Sequence, residues 1–572
     1  MNTLLPNKDS KNSIWSLEKF EIIFLLTVYA IGVAFRLLPR LSLDPHLLTF
    51  QADIWYRLCL AQFLLDHGHL PLWDIRYEAY GYVPLWYNPL SIYFFALLSK
   101  LSQLDLPTVC SRIMPFVEAI SIIPFYFLCR ALYQKRIALI ATLFLLLSPS
   151  YLYWTGISTL QSFTIFLIPL ILLLWIRFVQ REFLFSNRLR HLIIMSALLA
   201  INFLTHLSYF TLLIILVCVQ IGLILGRRSK IADSFYLIAI IILSQLMTIN
   251  WWLPTNLYWW WTQGLTTSSG FAEGLKYFKE YGITSGLLGH ASLIIVLFLA
   301  ARSEKNLSSL SLYLIPLFWA LFPFLESHNE GFLKILGHPE WAWNNFLKPL
   351  EGFRFYVFLT QPLALCAGIV LSHGAHFLAR QKIILQKSLW IILVAILCCA
   401  LTYDILFLYK LSSRLRNSGM KISCIKAAQW FRANSKPTDR ILAEYYTAQM
   451  FSGICGGKAL LGSMFPLKNV PGVFKKDKWA VQKDIYSVYT SQDIKQVEKI
   501  LRRYGCTHVY VSKKLLEHVV FLTKQDSVIP DVEKINEEDL SQTLYNQNYF
   551  EIVYEDNDIK ILKLIDPLSE KK

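Results

Sequence analysis

Through the first 410 residues the chain alternates between long, continuous apolar runs and short polar interruptions, many of them basic. The runs do not alternate residue by residue, so the period predicts helices rather than strands. Several hold about 18 or more largely apolar residues, enough to cross a bilayer. A helix satisfies its own backbone hydrogen bonds in hydrocarbon, as an open strand cannot. The expected spans are Phe20–Leu38, Val109–Leu132, Ile137–Tyr153, Leu160–Phe178, Leu192–Leu204, Tyr209–Leu225, Phe235–Leu253, Gly286–Ala301, Leu310–Leu325, Phe353–Phe377 and Leu389–Tyr409, about eleven in all.

Beyond Lys410 the pattern changes. Ile425–Ala433 has helical spacing, Arg440–Ala443 and Thr507–Ser512 read as short buried strands, and Ser491–Tyr504 reads as an amphipathic helix capped by Ser491. Phe550–Leu562 reads as a hairpin turning at Asp556-Asn557-Asp558. The fold class is therefore a polytopic α-helical membrane protein with a C-terminal α/β domain. The division is a transmembrane module over 1–410, with its first outer loop at 40–108, and a soluble domain over 411–572 of roughly 160 residues, large enough for its own core.

Composition agrees. The chain is 55% hydrophobic, 15% aromatic and only 16% charged, with mean hydropathy +0.43, where soluble domains carry about 25% charged residues. The net charge of +16 does not call for nucleic acid, because most Lys and Arg of the first 410 residues lie between spans. Their placement sets the topology. Lys8, Lys11 and Lys19 precede the first span, which puts the N-terminus in the cytoplasm. Leu85–Leu104 is apolar enough to be another span. If it crossed, every later basic cluster would fall outside. If it lies in the plane of the outer surface or re-enters, Arg130/Lys135/Arg136, Arg177/Arg181/Arg188/Arg190, Arg227/Arg228/Lys230, Arg302/Lys305 and Arg380/Lys382/Lys387 all fall inside. The second arrangement is expected, with the tail outside. Cys424, Cys455 and Cys506 lie in that tail, where two of them could pair; the spacing does not select which.

The stretch Phe50–Pro89 is polar and aromatic-rich, and follows the first span directly. It carries Asp53, then Ile54-Trp55-Tyr56-Arg57, an amphipathic run over Leu58–Leu65, a stop at Asp66-His67-Gly68, and Trp73-Asp74. Asp53 is either an ordinary solvated loop acid or an ionised group within reach of a substrate hydroxyl. Arg354, at the outer edge of a late span, either snorkels to a phosphate, be it substrate or ordinary headgroup, or pairs with an acid. Glu118 is the clearest acid within a span, a bundle hydrogen-bonder or a functional group. Glycine-rich phosphate loops, a nucleophile elbow and Cys/His metal spacings are absent from the sequence.

This arrangement resembles the GT-C superfamily of membrane glycosyltransferases. In motif order it is most similar to the oligosaccharyltransferase catalytic subunit and to membrane proteins labelled as related to 6-pyruvoyl-tetrahydropterin synthase, although nothing here looks like a soluble pterin enzyme. Ala52-Asp53-Ile54-Trp55-Tyr56-Arg57 matches the family's first-loop acid, and Gly68 to Trp73 with Tyr87-Asn88-Pro89-Leu90 matches its later loop landmarks. Thr155-Gly156-Ile157-Ser158-Thr159-Leu160-Gln161 stands where oligosaccharyltransferases carry Gly-x-x-Asp-x-Glu, with Thr159 and Gln161 in place of the acids. Arg354 stands where relatives place an Arg-Phe facing the donor phosphate. Glu444-Tyr445-Tyr446-Thr447-Ala448 occupies the place of the Trp-Trp-Asp-Tyr-Gly acceptor motif.

The resemblance implies a polyprenyl-phosphate-linked sugar donor and a glycan, lipid or protein acceptor at the outer membrane face. Asp53 would be the catalytic base, with Arg57, Trp73, Asp74, Glu330 and Arg354 binding substrate. A divalent metal needs several hard oxygen ligands, and Thr159 and Gln161 in place of carboxylates argue against a Mn²⁺ or Mg²⁺ site. No other cofactor is expected. The rival expectation is a non-catalytic lipid-binding, flippase-like or assembly protein of the same fold.

Overall fold

The computed structural model describes residues 17–41, 52–72, 88–156, 161–180, 188–206, 209–251, 287–303, 307–327, 356–379, 402–403, 406, 422–443, 445–455, 459–461, 478–512, 543–556 and 559–565. The chain opens with α1 (Lys19–Leu41), α2 (Ala52–His67) and α3 (Pro89–Ser102). A broken rod follows over Leu106–Leu132, ending in α4 (Met114–Ala119) and α5 (Ile122–Leu132). The bundle continues through α6 (Lys135–Leu146), α7 (Pro149–Gly156), α8 (Gln161–Val179), α9 (Arg188–Thr205), α10 (Tyr209–Leu225) and α11 (Ile231–Met247). Its later helices are α12 (Gly289–Arg302), α13 (Leu307–Ser327) and α14 (Tyr356–Ala379).

By length and composition, five helical stretches among the described residues can cross a membrane: Lys19–Leu38, Leu106–Leu132, Ser162–Val179, Arg188–Thr205 and Val357–Phe377. Shorter apolar helices at Tyr209–Leu225, Ile231–Met247, Gly289–Arg302 and Leu312–Leu325 pack beside them. The expected span Leu389–Tyr409 lies almost wholly outside the described residues. The expected span Ile137–Tyr153 is broken instead at Ser148-Pro149, because Pro149 has no N–H to continue the ladder. Within the bundle, Gly368 of α14 lets α6 approach closely: a Cβ there would lie 2.9 Å from both Ala141 Cβ and Ile137 O. Small residues at such crossings replace the hydrophobic drive that lipid cannot supply.

The helices run between two distinguishable ends. At one, Glu21 is fully buried; Arg130 donates to it from Nε at 2.7 Å and Nη2 at 3.2 Å, Tyr126 adds a third bond, and Lys135 reaches Glu18 at 2.6 Å. Arg188 stacks 3.9 Å above the Tyr236 ring, His191 Nε2 donates to Leu174 O at 2.9 Å, and Gln220 bridges Trp175 to Ser229. The described members of three expected inside clusters, around Arg130, Arg188 and Arg228, therefore share this basic end. At the other end, Asn88 donates to Phe203 O, Thr164 to Asn202 Oδ1 at 2.7 Å and Gln361 to Ile165 O at 2.9 Å.

The tail closes over that second end. It holds α15 (Ile422–Asn434), β1 (Ile441–Ala443), α16 (Tyr445–Cys455), β2 (Ala459–Leu461), α17 (Lys478–Thr490), α18 (Ile494–Arg503), β3 (His508–Ser512), β4 (Phe550–Asp556) and β5 (Ile559–Leu564). The sheet order is β2-β1-β3-β5-β4, parallel across the first three strands and antiparallel through the hairpin. Asp493, rather than Ser491, caps α18: its carboxylate accepts from Lys495 N at 2.9 Å, while Ser491 sits two positions too early and accepts from Asp493 N. Cys424, Cys455 and Cys506 are free thiols; Cys455 donates to Ala428 O at 3.3 Å.

One core joins tail and loop. Ile54, Trp55, Leu58 and Leu60 of α2, and Ile92 and Phe95 of α3, are buried in the same cluster as Ile425, Phe451, Val509 and Ile561. The run Leu58–Leu65, expected to be amphipathic, is covered on both faces over its first part, because α16 lies on it. At 14 residues, α3 is about 21 Å long, short of the roughly 30 Å hydrocarbon core. It packs within the loop–tail core through Ile92 and Phe95.

Candidate functional site

The site is built at the end of the bundle that α2 and the tail share. Gly68 ends α2 in the left-handed conformation, φ 78°, with its N–H on Leu64 O at 2.8 Å, which is the expected stop. Asp53 is the second residue of α2, one turn before Arg57 on the same helical stripe. Arg57 is 5% exposed, and its charge reaches Cys110 on the facing rod.

Arg36 and Arg40, one turn apart near the end of α1, point into the same region. Arg36 is 3% exposed; it donates to Gly32 O at 2.7 Å and to Thr155 Oγ1, and lies 5.2 Å from the Tyr151 ring centre. Arg40 donates to Cys110 O at 2.9 Å, and Arg112 returns a bond to Arg40 O. That reciprocal clasp depends on a π-helical turn over Val109–Ile113. Flanked by Pro107 and Pro115, the turn departs from the α-helical bonding pattern.

Glu118, on α4 one turn past that π segment, is 2% exposed and lies within electrostatic range of Arg40. It lines a pocket of about 140 Å³ with Phe94, Val117, Ile120, Ser162, Phe163 and Phe166. Its walls are thus mainly apolar, with a carboxylate and a serine hydroxyl among them. Ser162, which follows Gln161 directly in the chain, borders the same cavity as Glu118.

Of the expected site residues, Arg57 is placed with its side chain and Asp53 as a helix position. Trp73, Asp74, Glu330, Arg354 and Thr159 lie outside the described residues. The helix that follows Arg354 in sequence starts at Tyr356 and is tied to Ile165 at this same end. The cluster of Arg36, Arg40 and Arg112 was not among the expected site residues. Its signal is in the sequence: guanidiniums inside or at the rim of apolar runs are costly to place and mark sites by default.

A helical bundle with a broken rod, a first-loop helix and an α/β tail over one end define a membrane protein of the GT-C type. The chain belongs to the oligosaccharyl transferase STT3 family, whose N-terminal model matches residues 43–409. In fold it is similar to the archaeal oligosaccharyltransferase AglB from Archaeoglobus fulgidus in complex with an inhibitory peptide and a dolichol-phosphate. That match has TM-score 0.60 and 14% identity over 87% of this chain and 70% of the other. It is also similar to ArnT from Cupriavidus metallidurans bound to undecaprenyl phosphate, with TM-score 0.56 and 12% identity over 96% of this chain and 99% of the other. No curated protein matches the chain by sequence.

A further AglB structure, matching with TM-score 0.58 and 14% identity over 86% of this chain and 68% of the other, is a complex with Zn and sulfate. Among the described residues of this chain, no three His, Cys, Asp or Glu side chains converge as a metal would require. The described residues thus offer no donor set for a divalent ion.

Proposed function

We propose that this chain is a membrane glycosyltransferase that moves a sugar from a polyprenyl-phosphate donor to an acceptor at the loop-and-tail end of the bundle. The observation that carries this reading is the family match over residues 43–409, joined to an α2 that brings positions 53 and 57 into an arginine-rich end of the bundle. We read that end as the extracytoplasmic face, because the basic clusters around Arg130, Arg188 and Arg228 gather at the other.

In the reaction, Asp53 takes the proton of the acceptor hydroxyl. The acceptor oxygen attacks the anomeric carbon, the carbon–oxygen bond to the lipid phosphate breaks, and the phosphate leaves with the electron pair. The configuration inverts. Arg354 and Arg57 stabilise the charge that develops on the phosphate; Trp73, Asp74 and Glu330 contact substrate. The test is transfer from a labelled polyprenyl-phosphate sugar in membranes carrying Asp53→Asn. Loss of roughly 10²–10⁴-fold is expected for removal of a general base, with normal folding; persistent transfer would show that Asp53 is not the base.

One observation favours the rival, a non-catalytic lipid-binding or assembly protein: Thr159 and Gln161 occupy the places of two family acids. For that reading, the wild-type chain would bind the lipid phosphate and transfer nothing from any donor.

A further inference from the structure

The cations at the loop end have a feature that the reaction above does not use. Basic residues at the opposite end are in part matched to acids, as Arg130 is to Glu21 and Lys135 to Glu18. Among the described residues, the hydrogen bonds of Arg36 and Arg40 all end on neutral oxygens: Gly32 O, Thr155 Oγ1 and Cys110 O. Arg36 Nε has no acceptor there. The two guanidiniums lie one helical turn apart, where like charges repel. Arg36, 3% exposed, lies inside a stretch long and apolar enough to span a bilayer, and Arg40, half-buried, lies two residues past its end; a buried charge there is expensive unless something of opposite sign meets it. Arg112 adds a third cation within range of Arg40, and Glu118 is a carboxylate in range.

From this we infer that Arg36 and Arg40 form a phosphate-ester site, and that the anion they receive is the phosphate of the lipid carrier. The planar, forked donors of arginine suit phosphate oxygens. The anion would relieve the repulsion between the two side chains. Thr155 and Cys110 act as positioning groups that hold the forks in place, while Glu118 keeps the empty site from carrying the full charge of its cations. The naming of the carrier rests on the function proposed above; the anion site does not.

The test uses the full chain in nanodiscs of neutral phosphatidylcholine, with farnesyl phosphate and farnesol as probes and apparent unfolding temperature as a second measurement. The wild-type protein should prefer the phosphate to the alcohol. Arg40→Gln should reduce that preference by roughly tenfold to a hundredfold, the loss expected when a charge-assisted hydrogen bond is removed. It removes the repulsion with Arg36 but also the attraction to Glu118 and the bond to Cys110 O, so the ligand-free unfolding temperature serves to show that the variant is folded. Arg36→Lys, which keeps charge and loses the fork, should lower the preference by less.

An unchanged preference in Arg40→Gln overturns the inference, whatever the unfolding temperature does. Equal binding of phosphatidylglycerol and farnesyl phosphate would keep an anion site but assign it to bilayer headgroups, and so overturn the carrier. If Arg354→Leu abolishes the preference and Arg40→Gln does not, the proposed function stands and this inference fails. If Arg40→Gln abolishes it while the wild-type protein transfers no sugar, the site stands and the proposed function fails.

Discussion

Gly453 is the position where tail and first loop press hardest on each other. A Cβ built there would lie 2.7 Å from the carbonyl oxygen of Trp55 and 2.8 Å from its Cε3. Two effects of Gly453→Ala oppose. Alanine in place of helical glycine gains up to about 1 kcal/mol of helix propensity. Overpacking a closed contact costs about 1–3 kcal/mol, and here one of the two clashing atoms is backbone on a buried helix, which cannot rotate away. The cost wins, for a net loss of about 1–2 kcal/mol. Unfolding of the full chain in detergent, followed by intrinsic fluorescence, should therefore shift down by a few degrees, at about 2–4 °C per kcal/mol for a domain of 150–250 residues. Because α2 must move to accept the methyl, sugar transfer should fall as well. Trp55→Leu in the same chain removes the Cε3 clash and not the carbonyl clash, so rescue should be partial. A Gly453→Ala protein that is more stable than wild type would refute the close approach of α16 to α2, and with it the placement of the first loop under the tail.

Two further outcomes follow from buried charge. Arg130→Met leaves the Glu21 carboxylate, fully buried, without its bidentate partner, and should destabilise the chain by about 3–5 kcal/mol; adding Glu21→Gln should recover part of that loss in the same denaturation assay. In the tail, burial against Phe431 pushes the His508 imidazole down to about 4, so the folded protein keeps it neutral. The unfolded chain protonates near 6.5 and so binds more protons as pH falls. Stability is therefore intact above about pH 6.5 and declines toward pH 4, by about 3 kcal/mol for this group. Denaturant midpoints of wild type and His508→Gln across pH 4–7 should converge as pH falls; parallel curves would sink the assignment.

Hydropathy and charge made most of the bundle legible because lipid imposes a single requirement on every span. Lys19–Leu41, Gln161–Val179 and Tyr209–Leu225 fall within a few residues of their expected bounds. The in-plane expectation for α3 has a different source: the basic clusters downstream would otherwise change sides. What escaped the pattern depends on contacts far apart in sequence. The π turn over Val109–Ile113 offers Cys110 O to Arg40, 70 residues away, and nothing local marks it. The three-residue strand β2 and the helix α16 have no strong period; they exist because β1 pairs with β2 and α16 covers α2. In the candidate site, position 53 stands out by its place after a span, whereas Arg36 lies within one and Arg40 two residues past its end, where neither draws notice.

The same contact that hid α16 from the pattern ties the fold together. Trp55 of the first loop and Gly453 of the tail touch, so loop and tail meet at one end of the bundle. Arg40 meets Cys110 at that side while Glu21 meets Arg130 at the other, so α1 and the rod over Leu106–Leu132 run antiparallel between the two faces. An antiparallel pair separated by α2 and α3 requires that these two helices return the chain to the face it left, not cross it. A crossing α3 would place Asn88 and Ser102 on opposite faces, yet Asn88 holds the loop end of α9 through Phe203 O and Leu106, four residues past Ser102, is buried in the loop–tail core. Contacts at both of its ends thus keep α3 at the loop end of the bundle, independently of the distribution of lysine and arginine.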